Sequence, residues 1–530
     1  DIEMELDTST TLTIVPSLKR GINFSRTENT SDTKNVFGAD LNQSKSTNIS
    51  NIDSYNFQNE LLIAHRFKKK GRSISVGFGN KNTKNETNQL KNSEAYFFQT
   101  QAVPDIRNQQ INSNNHTDEY TLNVIYREPI NNQQSLTFSY GSVFTNEFDG
   151  RGTYDFNEIN NSYSDYSTTL SYANRLKGTK TSPKVGYQIN TEKVWLSLSA
   201  GTSINNYDVS SSYNNNLYLN NRLDVLPELD LSTSIQMGKN RSIYVNYSYN
   251  ERSPYLYQLL EYEDLSSPLY ISKGNKDLKT TQEHSMYLSF RDYDWQSRSG
   301  YYFYGGGSYN LRSTGTDQAY DANFVTQSTY VNVNDTYNFW SGVNYSKSFN
   351  LTDKNKLSVS AGYNFSGNTS KGILNDILFT TLTTRMGPDL KLTLDFDKKL
   401  TLQPTYQYTM VHTNYKNFSL SEANFFTHKL GFMATSYLPK NFVIGSDINY
   451  NYNSNISDGF KKDFLLWNAS LGYNFFSERL LAKVKMYDIL NQNQSVRRTT
   501  TPTSIYDTED IILKQYVMFS LTYKLEKFAG

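Results

Sequence analysis

Apolar and polar side chains alternate with a period of two along most of this chain. Between residues 356 and 366, Leu357, Val359, Ala361, Tyr363 and Phe365 fall on one side, and Ser358, Ser360, Gly362, Asn364 and Ser366 on the other. Near the C-terminus Val517, Phe519, Leu521, Tyr523 and Leu525 interleave with Met518, Ser520, Thr522 and Lys524. Successive side chains of a strand point to opposite faces, so each such segment predicts a strand with one oily and one wet face. No helical stretch, Pro-rich or Gly/Ser linker, or shift of composition interrupts the pattern. The whole of 1–530 therefore reads as a single all-β domain.

The connections fall into two kinds. Short ones include Lys68-Lys69-Lys70-Gly71-Arg72, Asn131-Asn132-Gln133, Met237-Gly238-Lys239-Asn240, Thr352-Asp353-Lys354-Asn355, Pro439-Lys440-Asn441 and Ser477-Glu478. All carry residues that tight turns favour. Long polar ones run roughly from Arg26 to Asn51, Lys84 to His116, Pro254 to Thr281, Arg312 to Thr336 and Asn491 to Asp510. Short turns on one side and long loops on the other are the plan of an antiparallel outer-membrane β-barrel, with turns in the periplasm and loops outside. The pattern predicts about 20 strands, one hairpin short of the roughly 22 of plugged transporters. Ile2 to Leu6 reads as the tail of a preceding strand, turning at Asp7-Thr8-Ser9. The expectation is a chain that begins inside a barrel, with its first hairpin and anything before it removed. Asp1, with no Met and no signal peptide, fits a mature or truncated piece.

Composition agrees once the kind of membrane protein is specified. Only 37% of the 530 residues are hydrophobic, and the mean hydropathy is −0.65. No run of about 20 apolar residues exists, which excludes a helical membrane bundle. A barrel needs apolar residues only at alternate positions of short segments. The 42 Tyr and 30 Phe suit aromatic girdles at two membrane interfaces. A propeller would show a repeat near 40 to 50 residues, and none is seen. The absence of Cys excludes disulfides, thiolate metal sites and a Cys nucleophile, and the net charge of +1 gives no field for nucleic acid.

Few residues suggest covalent chemistry. His65, His116, His284, His412 and His428 are scattered, without metal-ligand spacing. Gly305-Gly306-Gly307 lies in an aromatic strand and marks a bend or close backbone approach rather than a phosphate loop. Lys68-Lys69-Lys70 reads as a solvated turn, and Asp395, Asp397 and Asp447 form no calcium loop. The membrane-interface belt is the default role of Trp195, Trp340 and Trp467, with ligand stacking open to a ring that faces the lumen; Trp467, alongside Ala469, Leu471, Tyr473 and Phe475, is assigned to lipid. Asn364, Asn449, Asn451 and Asn474 would wet the lumen. No catalytic, cofactor or metal residue is assigned, and the chain reads as a non-enzyme.

Several local sequences resemble the barrel of TonB-dependent outer-membrane transporters. Arg252-Ser253-Pro254, Leu259, Pro268-Leu269 and Gly274-Asn275-Lys276-Asp277-Leu278-Lys279 are similar to that family's loop ending in Gly-Asn-Pro-x-Leu-Lys-Pro-Glu. Here Lys276 and Thr280 replace prolines and Thr281 the acidic residue. Leu226-Pro227-Glu228-Leu229 resembles a strand entry of the same barrels. Tyr487-Asp488-Ile489-Leu490-Asn491 resembles the motif before their last long loop, and His65 to Arg72 a turn of one large branch. The final strand, Gln515 to Phe528, is similar to the one read by the barrel-assembly machinery, which would make Tyr523 and Phe528 its signal residues. The resemblance implies energised uptake of an iron chelate, glycan, peptide or vitamin. It implies as partners outer-membrane lipid, a plug domain, a periplasmic energiser of the TonB type and, in some barrels, a surface lipoprotein. A different class, an outer-membrane barrel acting as a structural or secretion-associated platform for proteins, shares the same sequence pattern.

Overall fold

The computed structural model describes residues 2–100, 102–260, 263–417, 422–456, 459–476, 479–501 and 505–524. Within them lie 26 strands and one helical turn, Leu256–Leu259. The first six strands are β1 (Ile2–Asp7), β2 (Thr10–Lys34), β3 (Asp40–Arg66), β4 (Ser73–Phe97), β5 (Asp105–Pro129) and β6 (Gln134–Asn157). A 24-stranded sheet holds nearly everything. It consists of β1, twenty wall strands and three short strands in extracellular connections, Ser162–Tyr166, Glu263–Ser267 and Tyr270–Lys273. Each wall strand pairs antiparallel with its neighbours along the wall, and at the periplasmic end turns of two to six residues join them. Among the described residues β1 pairs only with β2, and Tyr516–Tyr523 only with Leu480–Tyr487. A seam therefore stands between these two edges, and both edge strands are exposed along their whole length.

The register sorts side chains as the alternation predicts. Phe303, Val343 and Tyr363 meet across three strands on the outer face. Tyr304, Gly342 and Asn364 meet on the inner face. The outer face keeps its apolar residues uncovered: Leu430 is 54% exposed, Leu471 52% and Val343 45%. Such a continuous oily surface is tolerable only against lipid. Aromatic clusters bound it. At its extracellular limit stand Tyr247, Tyr249 and His284, and Tyr408, Phe426, His428 and Tyr452. At the turn side stand Phe290 with Tyr301, and Phe442 with Tyr473. His284 and Phe290 are roughly 20 Å apart along their strand, the scale of a tilted bilayer crossing.

The extracellular side differs from the expectation of long loops. The span from Arg26 to Asn51 is mostly ladder: β2 and β3 stay paired up to Lys34 and Asp40. The span from Lys84 to His116 is likewise β4 and β5, except for residues 98–104. Strands joined at Asn214-Asn215 and at Asn375-Asp376 turn in two residues with positive φ, the geometry of tight hairpins. What leaves the membrane is thus largely projecting sheet. Its backbone pairing continues in water, while its side chains lose the oily face that makes a strand legible. The turns at Lys68–Arg72, Asn131–Gln133, Met237–Asn240 and Pro439–Asn441 are found where expected, and Ser477-Glu478 lies outside the described residues.

Candidate functional site

The inner wall is polar and carries an aromatic patch. Trp340 lies against Tyr287 and Tyr304, with centroids 5.5 and 5.8 Å away, and Tyr302 lies beside Tyr304 at 5.3 Å. The Tyr287 and Tyr302 hydroxyls share a hydrogen bond of 2.8 Å. The Tyr304 hydroxyl donates to Asn364 Oδ1 at 2.7 Å, and Asn364 Nδ2 donates to Asp389 at 3.1 Å. Glycines make room for the rings. A Cβ on Gly306 would stand 2.9 Å from the Trp340 ring and 2.7 Å from the Met286 carbonyl. One on Gly342 would stand 2.5 Å from Tyr304. The close backbone approach read at Gly305-Gly306-Gly307 is found at Gly306, against the Met286 carbonyl, and at Gly307, against that of Asn338, and the Trp340 ring also approaches Gly306.

Two tryptophans correct the sequence reading. Trp340 alternates with Asn338, Gly342 and Asn344, and Trp195 with Ser197, Ser199 and Gly201, so the register puts both on the lumen side rather than in the lipid belt. The signal was present in the neighbours of each residue, but the general preference of indole for interfaces outweighed it. Trp467 does face outward, aligned with Ile448, and its Nε1 donates to Ser446 Oγ at 3.1 Å. Asn364 and Asn449 line the lumen as expected, Asn449 donating to Asp447 at 2.6 Å.

Above the patch the mouth is bridged. The connection between Arg252 and Thr281 packs its own small core, with Leu259, Leu260 and Leu278 all at 5% exposure or less. The buried apolar residues of the molecule gather in this extracellular half, including Ile111, Val209, Leu226, Val325 and Val411. The resemblance motifs build the roof. Asn275 Nδ2 donates to the Tyr330 carbonyl at 2.9 Å, while its Oδ1 accepts the Asp277 N–H at 2.9 Å. Arg222 donates to the Leu278 carbonyl at 2.7 Å, Ser253 Oγ to Asp224 at 2.6 Å, and Thr280 Oγ1 to Glu251 at 3.0 Å. Asp488, 3% exposed, accepts the N–H groups of Gln492 and Asn493 at 2.9 and 3.0 Å and so fixes the start of the last loop.

The roof then crosses the lumen. Tyr270–Lys273 pairs in parallel with the extracellular end of the strand Thr326–Asn350. Its hairpin partner Glu263–Ser267 reaches the opposite wall, where Lys91 Nζ donates to the Ser266 carbonyl and Arg107 Nη1 to that of Leu265, both at 2.9 Å. A second strut joins Asn323, between neighbouring wall strands, to Asn42 on β3 at 2.7 Å and to Thr100. These contacts between distant strands show that the sheet wraps around a central space.

The five histidines are not brought together. His65 meets Thr10 Oγ1, His116 stacks on Phe148, His284 meets Tyr247, His412 meets Asn424 and His428 meets Tyr406. Among the described residues no group of three or more His, Asp or Glu is placed to hold a metal ion. Lys69 of the Lys68-Lys69-Lys70 turn pairs with Glu128 at 2.6 Å. Tyr523 ends the last described strand opposite Leu480, and Phe528 lies outside the described residues.

The family model for the outer membrane protein beta-barrel family matches residues 65–432 and 383–523. The chain belongs to this family. As a member of the outer membrane protein beta-barrel family it resides in the outer membrane of a Gram-negative bacterium. No curated protein sequence matches it. Among solved structures it is similar to the ferric-catecholate import receptor Fiu from E. coli K12, at 10% identity and a TM-score of 0.42, over 98% of this chain and 82% of that one. It is similar to the copper transporter OprC, at 10% identity and 0.42, over 83% and 70%. It is similar also to the siderophore receptor PirA from Pseudomonas aeruginosa, at 12% identity and 0.35, over 97% and 79%.

Proposed function

We propose that this barrel imports a nutrient across the outer membrane in an energised, TonB-dependent cycle. The observation that carries this reading is the bridged mouth above a polar lumen. A passive pore of this circumference gains nothing from loops latched wall to wall. An importer that must recognise and then admit a bulky solute needs a mouth that closes. The hydroxyl, amide and aromatic groups around Trp340 offer a surface on which a solute can be held by stacking and hydrogen bonds. The reading includes a plug held within the lumen, a periplasmic energiser that displaces it, and no covalent chemistry at any step. It also takes the final strand, with Tyr523, as the element recognised during assembly into the membrane.

Cells lacking the gene, with and without complementation, test the reading. Uptake of labelled iron chelates, vitamins, glycans and peptides is compared before and after a protonophore. Loss of uptake in the deletion strain, restored by complementation and abolished by the protonophore, is expected. Flux that survives the protonophore unchanged would reduce the protein to a passive pore.

A further inference from the structure

Beneath the crossing hairpin is a cavity of about 270 Å³ on the inner face of β3 to β6 and the adjoining strand Tyr172–Asn190, lined by Asn48, Gln89, Lys91, Ser113, Arg151 and Tyr172 among others. All six come from positions that the register turns inward. Its lining carries two cations, Lys91 and Arg151. Arg151 Nε is shut off from solvent and has no hydrogen-bond partner. Lys91 Nζ donates to a neutral carbonyl, that of Ser266. Arg107, just above, is neutralised by Asp105 at 2.5 Å. The carboxylates nearest the pair, Asp149 for Arg151 and Asp105 and Asp264 for Lys91, act on them by charge alone, without a hydrogen bond. No carboxylate lines the cavity.

Half-buried cations, one of them with an N–H shut off from water and unpaired, are costly to leave without an acceptor. They are repaid by an oxyanion, whose several lone pairs accept charge-assisted hydrogen bonds from both. The amide of Asn48 and the hydroxyl of Ser113 supply neutral donors around the same space, while Gln89 Nε2 donates to Asn48 Oδ1 at 3.1 Å. We infer that Lys91 and Arg151 form a subsite for an oxyanion, a phosphate, sulfate or carboxylate group, borne by the solute that this barrel admits. The assignment rests on the import reading only for the words "borne by the solute"; the anion site itself does not. The volume accommodates one such group and a short part of whatever carries it. The hairpin that roofs the cavity is bonded to Lys91, so the subsite lies where a captured solute would first contact the latch.

Calorimetric titration of the full chain, folded in detergent micelles, with inorganic pyrophosphate and with citrate tests the assignment. Saturable binding is expected, falling steeply as salt rises. Arg151→Gln should weaken it at least tenfold while leaving the Lys91 and Arg107 bonds to the hairpin in place. Lys91→Gln should weaken it similarly, and Lys91→Arg should restore most of it. Lys68→Gln, in a turn at the other end of the barrel, should have no effect. Absence of saturable binding of either anion to the wild-type chain overturns the proposal, as does binding that survives Lys91→Gln and Arg151→Gln together. Protease resistance of each variant reports its fold independently. Anion binding that persists in a protein without energised uptake would remove the import reading and keep the subsite; uptake without anion binding would do the reverse.

Discussion

Lys91, on one wall, holds the main-chain carbonyl of Ser266, 175 residues further along the chain, at 2.9 Å. The bond spans the lumen, so it reports whether the mouth is closed. Arg107 adds a second bond to the same hairpin, at the neighbouring carbonyl of Leu265. Hydrogen bonds from charged donors contribute about 1.5–3 kcal/mol each. Replacing both residues by alanine should therefore release the Glu263–Ser267 arm from its wall, while Tyr270–Lys273 stays paired with Thr326–Thr329. Hydrogen exchange by mass spectrometry should show faster exchange confined to that arm; unchanged protection there would mean that the strut is held by something else.

The two faces of the wall should respond oppositely to charge. Leu471 and Phe519 point outward and are 52% and 77% exposed. Leu471→Arg or Phe519→Arg should cost about 2–4 kcal/mol if the residue lies at mid-bilayer depth. Ser520→Asn, on the lumen side, should cost far less. A Cβ on Gly472 meets only a leucine methyl at 3.0 Å, so Gly472→Ala should also be mild. Unfolding from bilayers measures all four, and equal costs on both faces would contradict the assignment.

Gly306 and Trp340 form a unit. A branched side chain at 306 must collide with the Met286 carbonyl and the indole, so Gly306→Val should cost about 1–3 kcal/mol by overpacking. It should also push the indole off the wall, shifting Trp340 emission. Gly305→Ala meets nothing closer than 3.5 Å and should leave the spectrum alone.

Asp488 should matter for the last loop. Its buried carboxylate satisfies two main-chain N–H groups, and Asp488→Ala leaves them without an acceptor, at about 1–3 kcal/mol. The expected signs are a lower unfolding midpoint and faster proteolysis within 491–510. Asp488→Asn, which keeps one acceptor, should fall between.

One turn carries a pH signature. Asp397 and Lys398 both have positive φ, and Lys399 Nζ bonds the Asp397 carboxylate at 2.6 Å. That bond, and to a lesser degree the surrounding lysine charges, holds the Asp397 pKa below the usual carboxyl range. A depressed folded value means that its contribution is present above the unfolded pKa and fades as pH falls through the folded one. Asp397→Asn keeps the turn, because asparagine tolerates positive φ. It should lower stability slightly at neutral pH, where the ionised carboxylate contributes, and leave it equal to wild type at low pH, so a small part of the acid sensitivity disappears. Parallel acid limbs for the two proteins in pH titrations of the unfolding midpoint would refute this.

The wall itself was readable in the amino-acid order. A period of two is local: each residue's face follows from its neighbours, and the turn residues between Arg66 and Ser73 or between Pro129 and Gln134 end one strand and begin the next without outside help. Closure toward lipid followed too, since a half-oily sheet has few other places to put Val343, Leu430 and Leu471. Where that signal ceased, as from Arg26 to Asn51, pairing continued unseen, because a ladder in water needs only backbone partners. The mouth was readable only as local motifs, such as Gly274 to Lys279, and not as a bridge. That Lys91 and Arg151 share a cavity, and that Ser266 comes to roof it, depends on the circumference of the barrel bringing sequence-distant walls face to face. No local pattern encodes a meeting across open space; only the curvature of the whole sheet, summed over its twenty wall strands, decides which residues face each other there.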